Sequence, residues 1–125
     1  MSTLNVANIT DNTTSVPTGY VVNGSAKAWV NFNGTGTVAI RDSFATSSIT
    51  ETATANVTVT ISSAMSSAAN YATVAQAGNG GTNPGNAATS CNGITSTTGH
   101  HETMDDSGTN SERGHNSLIF FGDLA

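Results

Sequence analysis

The sequence predicts an all-β fold: an antiparallel, jelly-roll-like β-sandwich of about eight short strands with a long loop insertion. Three observations lead to this prediction. Apolar residues alternate with polar ones over several short runs, which is the pattern of half-buried strands. Turn-forming residues separate the runs at intervals of about 8–12 residues, and no run has the length of a normal helix. About half of the chain is Ser, Thr, Asn and Gly, which suits strands joined by polar turns.

The first 24 residues are predicted to lead into the framework with two short strands. Residues 4–9 form the first strand, a turn signal at Asp11 and Asn12 follows, and residues 20–22 form the second strand. The Asn23-Gly24 pair predicts a tight turn of the kind that closes hairpins.

The clearest element is a hairpin over residues 26–44. Ala28, Val30 and Phe32 share one face of its first strand, and Trp29 lies among polar residues on the other. A Gly-rich turn at residues 33–36 reverses the chain. In the returning strand, period 2 places Phe44 on the same face as Val38 and Ile40.

Further strands complete a framework of residues 25–77 and 117–125, within one domain that spans residues 1–125. Val57, Val59 and Ile61 alternate strictly and are expected to face the core, and residues 71–77 alternate again. Residues 117–121 (SLIFF) form the closing strand. Because this is the most hydrophobic strand, the C-terminus is expected to be held inside the fold. Its removal is expected to prevent folding.

Residues 78–116 are predicted to be a loop-rich insertion that carries specificity. Residues 78–88 have no apolar periodicity, and residues 89–116 hold all three histidines and four of the eight acidic residues. Long loops in compact domains are usually functional, and Asn, Ser, Thr and His offer adaptable hydrogen bonds. The predicted receptor or partner contacts are Asn79, Asn83, Asn86, Asn92, His100, His101, Glu102 and Asp105. The alternative is an arm that packs on a neighbouring protein.

Composition and charge exclude several functional classes. Lys and Arg number three against eight acidic residues, which is too few cations for nucleic-acid binding. No apolar run approaches the ~20 residues of a membrane span, and the first residues lack the features of a signal peptide. The single cysteine, Cys91, excludes an internal disulfide. The modest apolar content predicts a homo-oligomer, in which neighbouring subunits supply part of the burial.

Catalytic and cofactor motifs are absent, so neither an enzyme nor a cofactor is predicted. His100, His101, His115 and Asp105 are weak candidates for a metal site, because imidazoles and carboxylates ligate divalent metals. Adjacent residues of a strand point to opposite faces, however, so His100 and His101 of one chain are not expected to share a metal. The favoured interpretation is a solvated acidic loop without a metal.

The stretch KAWVNFNGTGTVAIRDSF at residues 27–44 is a long and specific motif. It resembles the C-terminal β-module of phage and prophage tail-fibre or tail-associated proteins, and the similarity continues at residues 57–65, 69–72 and 121–123. The resemblance implies a structural protein on the surface of a phage particle, made in the host cytoplasm and assembled as a trimer with other virion proteins. A tail-fibre or receptor-binding component, with a host surface glycan as a candidate partner, is one expectation. The alternative is a capsid or tail decoration protein that stabilises the particle without binding a receptor.

Trp29 has two interpretations. An exposed indole can stack on the apolar face of a sugar, or it can pack at a subunit interface. Packing is favoured, because receptor contacts concentrate on loops rather than on rigid hairpins. The expected assembly and packing residues are Trp29, Phe32, Arg41, Asp42, Phe44, Phe120 and Phe121.

Overall fold

The computed structural model describes residue 3, residues 5–79 and residues 88–125, and this part of the chain contains ten strands and one short helix. In chain order the elements are β1 (Asn8–Thr10), β2 (Ser15–Pro17), α1 (Thr18–Gly24), β3 (Ala26–Asn33), β4 (Ala39–Phe44), β5 (Thr46–Ala53), β6 (Asn56–Ile61), β7 (Tyr71–Gly78), β8 (Ala88–Thr95), β9 (Thr98–Met104) and β10 (His115–Gly122).

Eight of these strands form two antiparallel four-stranded sheets that pack against each other. The first sheet has the order β4-β3-β10-β7, and the second has the order β5-β6-β9-β8. This arrangement confirms the predicted β-sandwich. The hairpins β3–β4, β5–β6 and β8–β9 each stay within one sheet. The Tyr71 hydroxyl joins the sheets, since it lies 2.6 Å from the main-chain oxygen of Thr98.

The core lies between the sheets and is built from alternate residues of the inner strands, as the period-2 pattern predicts, together with Met65 from the connection between β6 and β7. Each of these side chains is less than one tenth exposed, so most of the stabilising apolar burial is concentrated here. The core cluster consists of Ala28, Val30, Phe32, Val57, Val59, Ile61, Met65, Leu118 and Phe120.

Strand β10 occupies the centre of the first sheet. Leu118 pairs with Val30 of β3 on one side and with Ala75 of β7 on the other. Beyond the strand, the main-chain N–H of Ala125 donates to the oxygen of Ala64 at 2.9 Å. The end of the chain is therefore held in the fold, as the sequence predicts.

The β3–β4 hairpin contains a β-bulge that changes the orientation of its second strand. Phe32 pairs with Ile40 but Asn31 pairs with Asp42, so Arg41 is an extra residue in β4. The alternation therefore shifts by one, and Phe44 pairs with Trp29 on the outer face. The expectation that Phe44 shares a face with Ile40 is wrong for this reason.

The N-terminal segment differs from its prediction in the positions of its strands and in its last turn. Strand β1 begins at Asn8 rather than at residue 4, and the Asn23-Gly24 pair ends helix α1 instead of forming a tight hairpin turn. A two-stranded hairpin forms from β1 and β2, with the Asp11 carboxylate accepting the main-chain N–H of Thr14 at 2.7 Å.

Residues 20–22, however, belong to helix α1 rather than to a strand. The two valines of this helix are exposed and have no neighbouring strand to pair with. The preference of valine for strands is weak without such packing, so it does not prevent a helix here.

The interpretation of residues 78–116 as a loop-rich insertion also needs correction. Strands β8 and β9 lie within it and form half of the second sheet. The inward positions of β9 carry Gly99, His101 and Thr103 rather than aliphatic residues, so its hydrophobic alternation is missing from the sequence. The strand is held by pairing on both sides, with β6 and with β8.

Candidate functional site

The outer face of the second sheet is the main cluster of polar side chains in the described part of the chain. Cross-strand pairing aligns them in rows, since directly opposed residues of an antiparallel sheet share a face. We call this surface the polar face. It consists of Ser48, Thr50, Asn56, Thr58, Thr60, Ser90, Asn92, Thr98, His100 and Glu102.

The central row of the polar face runs across all four strands. Thr58 pairs with Thr50 on one side and with His100 on the other, and His100 pairs with Asn92. The row thus presents two hydroxyls, an imidazole and an amide along one line. All of these groups can donate or accept hydrogen bonds, and none adds a formal charge when the imidazole is neutral.

The next row is organised around a carboxylate. Glu102 accepts a hydrogen bond from the Asn56 amide at 3.0 Å and another from the Ser90 hydroxyl at 3.1 Å. The Asn56 bond is the largest of several hydrogen bonds that lower the pKa of Glu102 below its usual value. Because both oxygens are engaged, this carboxylate fixes side chains of three neighbouring strands in place.

The structure brings together three of the predicted contact residues, and the three others that it describes lie elsewhere. Asn92, His100 and Glu102 lie on the polar face. Asn79 instead accepts a hydrogen bond from Arg113 at 3.0 Å. Asn83 and Asn86 lie outside the described residues.

Asp105 has a local structural role in the turn after β9. Its carboxylate accepts the Ser107 hydroxyl at 2.7 Å and the Thr109 main-chain N–H at 2.9 Å. The Ser107 bond and the main-chain N–H donors keep the pKa of Asp105 below its usual value. The carboxylate is therefore committed to shaping its own turn.

His101 is a core residue, which corrects its prediction as a surface contact. The side chain is 1% exposed and packs edge-on against Phe32, with ring centroids 5.4 Å apart. Burial lowers the pKa of His101, because the interior disfavours the charged imidazolium. Its Nε2 has no hydrogen-bond partner among the described residues. The neutral ring serves packing rather than contact with a ligand.

Acid is expected to destabilise the protein through His101. Its folded pKa lies below the unfolded value of about 6.5, so below that pH the unfolded chain binds a proton that the folded chain excludes. The free energy of unfolding should fall by up to about 1.4 kcal/mol per pH unit between pH 6.5 and the folded pKa. Urea denaturation at pH 7.5, 6.0 and 5.0 measures this slope.

The matched comparison for this prediction uses a residue of the polar face that does not titrate. His101→Leu should flatten the slope, whereas Thr58→Ala should leave it unchanged. The pKa values of Asp11, Glu102 and Asp105 are lowered in the fold, so these carboxylates contribute only at more acidic pH. An equal slope in both variants would contradict the assignment to His101.

The candidate metal ligands are dispersed over the fold. His100 lies on the outer face of the second sheet, His101 faces the core, and His115 begins β10 in the first sheet. Asp105 is engaged in its own turn. Within residues 5–79 and 88–125, no group of three or more His, Cys, Asp or Glu side chains is positioned to hold a metal ion.

The predicted assembly residues all belong to the first sheet, where some face the core and others lie on its outer face or edge. Phe32 and Phe120 are core residues and are inaccessible to another subunit. Trp29 and Phe44 pair on the outer face of the first sheet, where Phe121 is also partly exposed. The remaining two residues make local bonds: Arg41 donates to the main-chain oxygen of Phe32 at 3.1 Å, and Asp42 accepts the N–H of Ser43 at 2.8 Å.

Sequence reasoning missed the threonines and serines of the polar face, although part of the signal was present. Thr58 and Thr60 alternate with buried Val57 and Val59, so their outward orientation follows from the pattern. Their proximity to His100 does not, because it depends on the pairing of β6 with β9.

No protein-family model, curated protein or solved structure matches this chain at a significant level. Among the described residues, no helix is long and apolar enough to cross a membrane.

Proposed function

We propose that this chain is a structural protein of a bacteriophage virion, exposed on the particle as a tail-fibre-type, receptor-binding component and assembled as a homotrimer with other virion proteins. The motif at residues 27–44 supports this proposal, and it forms most of the β3–β4 hairpin, which is half of the first sheet. A rigid antiparallel sandwich suits a component that must keep its shape outside the cell.

The observation that carries the receptor-binding part is the polar face. Its hydroxyl, amide and imidazole groups stand on four paired strands, so they are held in fixed relative positions. Such groups match the hydroxyls of a host surface glycan, which both donate and accept hydrogen bonds. The hydrogen bonds from Asn56 and Ser90 to Glu102 hold these side chains in place, and Glu102 is the one acidic residue of the polar face.

Decoration of the capsid or tail is the second candidate function. Phe44 and Val74 are more than half exposed on the outer face of the first sheet, and exposed apolar side chains can pack on a neighbouring virion protein. A decoration protein needs such a contact and needs no receptor.

Immunogold labelling of purified virions tests the proposal. Antibodies raised against the chain should label the tail, and quantitative gel analysis should give a copy number that matches tail components. Label over the capsid, at a copy number that matches the capsid subunits, would support decoration instead. Purified particles that lack the chain would refute both functions.

Substitution on the polar face tests receptor contact. Virions carrying Asn92→Ala with His100→Ala should adsorb to host cells about thirtyfold more weakly, because about two hydrogen bonds of roughly 1 kcal/mol each are lost. Ser63→Ala, in an exposed loop, is the control and should leave adsorption unchanged. Point substitutions are needed because deleting residues 78–116 would remove two framework strands. Normal adsorption of the double variant would exclude the polar face as the contact surface.

A further inference from the structure

The outer face of the first sheet carries a continuous line of apolar side chains, which we call the aromatic row. Phe44 of β4 pairs with Trp29 of β3, Trp29 pairs with Ile119 of β10, and Ile119 pairs with Val74 of β7. The row crosses the sheet from edge to edge. Phe44 is 56% exposed and Val74 is 54% exposed, so nothing in the described part of the chain covers its two ends.

A line of polar side chains runs beside the aromatic row on the same face, and we call it the amide row. Asn31 pairs with Asp42 and with Ser117, and Ser117 pairs with Gln76. The side chains of Asn31, Ser117 and Gln76 form no hydrogen bonds with other residues in the described ranges. Their donors and acceptors are therefore available to a ligand.

The two rows have dimensions suited to an extended ligand. Residues two apart in a strand are separated by about 7 Å, and four strands spaced about 4.8 Å apart give each row a length of about 14 Å. An apolar stripe and a hydrogen-bonding stripe thus run side by side on a rigid surface. Asp42 is the one charged residue in the two rows, and the rows themselves carry no cation. Lys27 lies on the same face two residues before Trp29, but its Nζ already donates to the main-chain oxygens of Val22 and Ser25 and to the Ser25 hydroxyl.

We propose that this face binds a neutral saccharide chain, with sugar rings stacked on Trp29 and Phe44 and ring hydroxyls bonded to Asn31, Ser117 and Gln76. Sugars present an apolar C–H face and a hydroxyl edge, which matches the paired rows. This site is separate from the polar face, which has hydrogen-bonding groups but no aromatic side chain. The inference goes beyond the proposed function and does not depend on it.

The exposed area favours a saccharide over a second copy of the chain. An aromatic side chain offers about 150–250 Å² when fully accessible, so the partly exposed aromatic row presents a few hundred Å² at most. A stable protein interface buries about 600–1,000 Å² on each partner. The row alone falls short of that area, but it is sufficient for sugar rings.

Fluorescence titration tests this site directly, because Trp29 is the only tryptophan of the chain. The full chain is titrated with cellohexaose, maltohexaose and chitohexaose, and at least one should produce a saturable change in Trp29 emission. Phe44→Ala should weaken that binding about tenfold. Asn31→Ala and Gln76→Ala should each weaken it about three- to tenfold, since each removes a hydrogen-bonding side chain. Trp29 stays in place in all three variants, so the readout is retained.

Thr58→Ala on the polar face is the matched control and should leave the titration unchanged. This control keeps the two binding proposals distinguishable, because virion adsorption tests the polar face and Trp29 emission tests the aromatic row. Folded protein whose Trp29 emission responds to none of the three saccharides would overturn the inference. A concentration-dependent emission shift without saccharide, together with a dimer or trimer mass in sedimentation, would overturn it in favour of a second copy. Binding that is lost in Thr58→Ala but kept in Phe44→Ala would move the ligand to the polar face.

Discussion

Removing residues 115–125 is expected to abolish folding of the whole chain. Strand β10 pairs with both β3 and β7, so its loss splits the first sheet into two parts. Leu118 and Phe120 are fully buried, and truncating such residues to alanine typically costs about 2–5 kcal/mol each. The sum is comparable with the total stability of a domain, about 5–15 kcal/mol. Circular dichroism should show no sheet signal and no cooperative melting.

Deleting residues 1–17 provides the control for this truncation. It removes strands β1 and β2, whose side chains are all exposed, and it leaves both sheets of the sandwich complete. This shortened chain should still melt cooperatively. A cooperative transition in the chain without residues 115–125 would show that β10 is dispensable, contrary to its central position.

Phe32→Ala is expected to lower the free energy of unfolding by about 3–5 kcal/mol. The side chain is 1% exposed and sits in the core cluster, where its removal leaves a cavity. It also removes the edge-on contact with the His101 ring, and such aromatic pairs contribute about 0.5–1.5 kcal/mol. Urea denaturation measures the loss as a lower midpoint at constant slope.

Phe44→Ala is the matched control, because it removes the same side chain from the same hairpin. The bulge at Arg41 places Phe44 outside, where it is 56% exposed, so its removal should cost less than about 1 kcal/mol. An equal loss of unfolding free energy in the two variants would mean that Phe44 is as buried as Phe32, contrary to the outward orientation that the bulge gives it.

The sequence predicts the sandwich wherever the apolar pattern is strong, as in the alternation of β3 and β6 and the continuous apolar run of β10. It does not predict β8 and β9, because their inward residues include Gly99, His101 and Thr103, which carry little hydrophobic signal. The orientation of Phe44 was also not predictable. It depends on one extra residue in β4, and a bulge at Arg41 leaves no distinctive mark in the sequence.

The candidate site could be anticipated residue by residue but not as a surface. Outward orientation of Thr58 follows from period 2. The contact of Asn56 with Glu102 joins residues 46 positions apart, and such pairing is decided by the order of strands in the sheet. Likewise, the aromatic row requires the knowledge that β10 lies between β3 and β7.

The central position of β10 also has a consequence for synthesis on the ribosome. This strand is the last of the sandwich to be translated, yet it pairs with β3, the first strand of the sandwich. Until it emerges, Val30 and Phe32 have no neighbouring strand on that side and remain open to solvent or to other chains. Contacts this distant along the chain also slow folding, because a large loop must close first. The sandwich is therefore expected to form only once β10 has been translated, so that products terminated before β10 are excluded from assembly and left to proteases.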